Sequence, residues 1–140
     1  MAQKIFAIVI GIDQYKSKEI SNLQGCVRDA ASMQEMLSHY SPDAQITSIT
    51  DAEATRAGIL QAFEDHLLNN PCLKRDDAIV VYFAGKGRRL PAPEGASGRD
   101  VDILVPYDYG ENVPGISDTM IHSLLSDLAQ NKGTNIVGYF

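Results

Sequence analysis

The 140-residue chain has no tryptophan, two cysteines and three histidines. Two thiols, Cys26 and Cys72, cannot build the multi-bridge framework that holds small secreted domains together. The fold must therefore rest on a hydrophobic core, and reduced thiols in the cytoplasm are expected. Neither cysteine has metal-ligand spacing to a histidine. His39, His66 and His122 all fall in segments read as helices, without a cysteine or acid at a triad-like position, so they are expected on the surface. Long apolar runs are also missing. The N-terminal run Ile5–Ile12 ends at Asp13, far short of the roughly 20 residues of a membrane span, and no small-residue cleavage site follows it. Cations are scarce too. Twelve Lys and Arg against eighteen Asp and Glu give a net charge of −6. The one basic cluster, Lys86, Arg88 and Arg89, is too small to neutralise many phosphates. Nucleic-acid and anionic-membrane binding are therefore not expected. There are no internal repeats, and no glycine precedes Gly85-Lys86 at phosphate-loop spacing.

What remains is an alternation of strands and helices. The stretch KIFAIVIGI, Lys4–Ile12, is almost continuously apolar, as a central strand covered on both faces would be. Cys26, Ala30, Met33, Leu37 and Tyr40 recur at helical spacing within a first helix, about Gly25 to Tyr40, that Ser41-Pro42 stops. Gln45–Thr50 reads as a short strand. Thr55 is placed to cap a second helix running to Asn69, with Ile59, Leu60, Phe63 and Leu67 as its apolar face. Ala78–Ala84 is a third strand, rich in β-branched and aromatic residues. A long loop is expected over Gly85–Asp102, with Ile103–Val105 briefly extended after it. Ser117 caps a third helix carrying Ile121, Leu124, Leu125 and Leu128, which ends at Lys132-Gly133. Asn135–Phe140 begins a last strand. This order predicts an α/β fold, a three-layer sandwich around a mostly parallel sheet. In such sheets functional groups gather at the carboxyl ends of the strands. Gly85-Lys86-Gly87 stands at one such end and Asp13 at another, where a structural acceptor is expected.

Four blocks in order, FAIVIGIDQY, LQGCVRDA, DDAIVVYFAGKG and the final NIV, make the chain resemble the caspase-like cysteine peptidases, peptidase family C14. The nearest branch is the metacaspase-type proteins of fungi. The resemblance spans about Gln3 to Val137. It implies the caspase fold, proteolysis, and a link to regulated cell death in active members. It also implies a single domain over residues 1–140, of the large-subunit type and incomplete after its fourth core strand. The family's chemistry uses a cysteine thiolate and a histidine in a Gly-His-Gly loop. Carried onto this sequence, the histidine position is Lys86, and the cysteine position would lie beyond Val137. An ammonium releases its proton at neutral pH far less readily than an imidazolium does. The resemblance thus implies a chain without ordinary peptidase activity, or a non-enzymatic interaction module that pairs with an active relative or a death-pathway partner.

Cys26 and Asp29, three apart in the first helical turn, match the family positions that line an acidic pocket for an Arg or Lys of the substrate. The bland alternative is an acid favoured by the helix dipole beside a small buried thiol. Ala84 stands where some relatives have a pocket serine. Asp100, Asp102 and Asp108 follow the lysine loop, as Ca²⁺-binding acids do in some metacaspases. Ca²⁺ needs six to eight oxygens, and a solvated acidic loop is the competing reading, so no cofactor is required. The expected partners are peptides bearing Arg or Lys, and a second copy of the chain through the last strand.

Overall fold

The computed structural model describes residues 4–91, 100–110 and 112–140. A four-stranded sheet in the order β2-β1-β3-β7 forms its centre. Strand β1, Ile5–Gly11, lies between β2, Gln45–Thr50, and β3, Ala78–Ala84. The outermost strand on the β3 side is β7, Ile136–Tyr139. All three pairings are parallel.

The alternation of β1 divides the core. Phe6, Ile8 and Ile10 enter one cluster, with Ile59, Phe63 and Leu67 from the second helical segment and Ile121 and Leu128 from the third. Ala7 and Val9 face the other way, against Ala30 and Leu37 of helix α1, Cys26–Tyr40. With both faces covered, the strand needs no polar side, which accounts for its unbroken apolar run. Small residues on the α1 side let that helix come close. A Cβ at Gly11 would stand 2.7 Å from the Cys26 carbonyl oxygen and 2.8 Å from the Ala30 Cβ. The result is the expected three-layer α/β sandwich.

Helix α2, Arg56–Ala62, begins as expected. The Thr55 hydroxyl accepts the Gly58 amide at 3.0 Å. The regular helix expected to Asn69 instead widens over Phe63–Leu68 into a π-type turn. There the Asn69 amide reaches back to the Glu64 carbonyl, and the Asn70 side-chain amide takes the His66 carbonyl. A side chain has replaced one backbone donor of the ladder. Helix α3, Asp118–Lys132, is capped by Ser117, whose hydroxyl accepts the Met120 amide.

Three further expectations are corrected. The stretch read as a long loop after residue 85 is in part a sheet. Strand β4, Gly87–Leu90, pairs antiparallel with β5, Val101–Leu104, which in turn pairs with β6, Ile116–Ser117. Arg89 Nε donates to Asp102 Oδ1 at 2.9 Å across the first pair. Pro93, Gly95 and Gly98 of the expected loop lie outside the described residues. Tyr40, expected in the buried stripe of α1, is 84% exposed, because the stripe there has reached the rim of the sheet, where Ile5 and Ile46 are themselves half-buried. His66 is also half-buried rather than free on the surface. Its Nε2 lies 3.0 Å from the Gln45 carbonyl and its ring packs against Phe6.

Candidate functional site

The carboxyl ends of β1, β2 and β3 converge, and each contributes a polar group there. After β1, the Asp13 carboxylate accepts the Cys26 amide at 2.8 Å and the Val27 amide at 3.2 Å. It caps α1 from a distance, since Gly25 at the cap position has no side chain to do so. After β2, Asp51 adopts a left-handed φ of 44°, which an aspartate tolerates. Its Oδ1 accepts the amides of Asp13 and Gln14 at 2.9 and 3.1 Å. The expected structural role of Asp13 is thus filled, and Asp51 supports it.

Cys26 and Asp29 share the first turn of α1, as the spacing predicts. Cys26 is half-buried and Asp29 is exposed. Burial pushes the Cys26 thiol up, and the Asp13 charge, a hydrogen bond with Asp13, and the Asp29 and Asp51 charges push it further the same way. Tyr82, on the α1 side of β3, joins them. Its phenol is raised by burial first and then by Asp29 and Cys26. This mouth therefore keeps its thiol protonated. A protonated thiol is a poor nucleophile, but an exposed carboxylate beside it can meet a guanidinium or ammonium. The other thiol, Cys72, is exposed and lies before β3, at the far end of that strand from Lys86.

Lys86 follows β3. It is not on an open, solvated loop, as its two neighbouring arginines suggest, but half-buried. Its ammonium donates to Ser21 Oγ at 2.9 Å. Its amide donates to the Tyr15 hydroxyl at 2.9 Å, and its carbonyl accepts the Val105 amide at 2.9 Å. The arginines are engaged elsewhere, Arg88 over the Tyr109 ring at 5.4 Å and Arg89 with Asp102. The site thus brings Cys26, Asp29 and Tyr82 together, and ties Lys86 to the loop between β1 and α1. Tyr15, Ser21, Tyr82 and Asp51 were not singled out from sequence. Tyr15 and Tyr82 do stand inside two of the four blocks that carry the resemblance, and that was the available signal.

A cleft of about 760 Å³ opens on the opposite face of the sheet, between Phe83, Ile103, Ile121, Leu125 and Phe140. The flanking Gly85 and Gly87 reach it but Lys86 does not. The three acids considered for Ca²⁺ are separately placed. Asp102 pairs with Arg89, whose hydrogen bond holds its carboxyl below the usual range. Asp108 Oδ1 accepts the Arg56 amide at 2.9 Å, and Asp100 is exposed. Among the described residues no three acid, histidine or cysteine side chains are grouped to hold a metal ion. None of the described helices is long and apolar enough to cross a membrane.

Comparison with known proteins follows the same lines. Residues 6–137 match the family described as metacaspase, peptidase C14 domain. The fold is similar to the crystal structure of protein GSU0716 from Geobacter sulfurreducens, with a TM-score of 0.72 at 18% identity. That match covers 96% of this chain and 48% of the other, so the chain spans about half the length of that structure. No curated protein sequence matches the chain.

Proposed function

Because this chain belongs to the metacaspase, peptidase C14 domain family, we propose that it is a caspase-like domain that recognises basic peptides without cleaving them. The observation that carries this reading is Lys86. It stands where the family resemblance places the acid/base histidine, and its ammonium is spent on Ser21. Losing a positioned acid/base lowers the rate roughly 10²–10⁴-fold. Neither thiol of these 140 residues is suited to take over. Cys26 is held protonated, and Cys72 is at the wrong end of β3. The recognition half of the reading rests on Asp29, which makes no ion pair among the described residues, beside Cys26 and Tyr82.

The test is a fluorogenic assay with Arg- and Lys-terminated peptides, with and without Ca²⁺, alongside binding of the same peptides by fluorescence anisotropy. Binding without turnover is expected, with binding reduced about tenfold or more by Asp29→Asn, as loss of a charge-assisted contact implies. Turnover abolished by thiol alkylation would sink the inactive reading. Equal binding by wild type and Asp29→Asn would sink the pocket.

A second reading, an interaction module, draws on strand β7. It is the outer strand of the sheet and leaves Val137, Tyr139 and Phe140 exposed. Such an edge invites another strand. Under this reading the chain self-associates, and a monodisperse monomer by light scattering at high concentration counts against it.

A further inference from the structure

We infer that Tyr15 is the positioning residue for position 86, and that through it the loop between β1 and α1 links that position to the mouth formed by Cys26 and Asp29. This rests on the reading of position 86 as the family's acid/base position. Tyr15 is only 8% exposed. Its hydroxyl accepts the Lys86 amide at 2.9 Å. The same oxygen would lie 3.2 Å from a Cβ placed on Gly85, whose other close neighbour is the Phe83 ring at 3.0 Å. Tyr15 therefore meets both residues of the turn, and a side chain at 85 would crowd it.

The backbone of residue 86 is held from two sides, by Tyr15 at its amide and by Val105 at its carbonyl. The side chain is left with its rotamers alone, and its ammonium meets Ser21, six residues after Tyr15 on the same loop. That loop is itself anchored. The Tyr15 amide donates to Asn22 Oδ1 at 3.3 Å, the Lys16 amide to the Tyr107 carbonyl at 3.0 Å, and the Leu23 amide to the Asp13 carbonyl at 2.7 Å. Asp13 in turn holds the amides of Cys26 and Val27. One short segment thus fixes the start of α1, where a basic side chain would bind, and the backbone of residue 86. Burial raises the Tyr15 phenol above its usual value, so it stays neutral.

The test is amide hydrogen exchange by NMR on the wild-type chain and on Tyr15→Phe, which keeps the ring and deletes only the hydroxyl. In the wild type the Lys86 amide is expected to be protected. In Tyr15→Phe it should exchange at least tenfold faster, with the Cys26 and Val27 amide resonances displaced and the Val81 amide, in the middle of β3, unchanged. Ser21→Ala, which removes only the acceptor of the ammonium, should leave the Lys86 amide protected. A Lys86 amide that exchanges at the free-peptide rate in the wild type overturns the inference whether or not the variants fold. So does an equal acceleration of Val81, which would make Tyr15 a core residue and nothing more. Loss of Lys86 protection in Ser21→Ala likewise overturns it. None of these readings involves a peptide. A wild-type chain that shows the expected pattern and binds no basic peptide supports Tyr15 and defeats the recognition reading alone.

Discussion

Cys26 and Cys72 differ in their surroundings rather than their chemistry. Burial first, and then three carboxylates, Asp13, Asp29 and Asp51, press the first toward its protonated form, while the second is exposed after Pro71. At pH 8, alkylation followed by mass spectrometry should modify Cys72 faster than Cys26 by roughly tenfold or more. Asp29→Asn should narrow that gap by removing one of the opposing charges, and equal rates in the wild type would contradict the account. The pairing of Cys26 with Asp29 was legible in the sequence because a three-residue step on a helix is a local rule. The partner of Lys86 was not. Ser21 lies 65 positions away, and no spacing rule connects a turn serine to a strand-end lysine across a crossover. Position 86 was legible by its flanking glycines, but its burial was not, because the adjacent arginines suggested solvent.

Helix α1 starts without a cap of its own, and Asp13 supplies one from β1. Asp13→Ala should destabilise the chain by about 1 kcal/mol, within the range of roughly 0.5–2 kcal/mol for lost caps, read as a lower urea midpoint with unchanged slope. Thr55→Asn, which retains a capping side chain, should leave the midpoint nearly unchanged, so the pair separates capping from general fragility. Sequence periodicity located α1, α2 and α3 because each has an apolar stripe. It missed the β4–β5 pair because β4 reads Gly-Arg-Arg-Leu and is mostly exposed. Alternation reports burial, and a strand outside the core has none to report. The π-type turn was equally silent, since Phe63 and Leu67 keep the same four-residue spacing in either helix.

Among the thiols and phenols of the described residues, Cys26, Tyr15 and Tyr82 hold their protons more tightly folded than unfolded, each chiefly through burial. Their contribution to stability is intact below the unfolded values, about 8.5 for a thiol and about 10 for a phenol. It is lost as pH rises through the higher folded values. Urea midpoints should therefore fall between about pH 8.5 and 11, beginning with Cys26, and Cys26→Ser should remove the first part of the fall. A flat profile over that range would contradict these assignments. The topology has a consequence in time as well. In the central sheet no strand pairs with a neighbour through a tight turn, and β1 is joined to β3 at Ile5 and Ala78. Each pairing must wait for a crossover to close, which makes such sheets slow to form. Strand β1 is also the most buried of the four and is made before its partners, so a chain emerging from the ribosome carries Ile5–Gly11 without β2 for more than thirty residues and without β3 for more than sixty. During that interval the strand that anchors the finished sheet is the segment a chaperone would bind first.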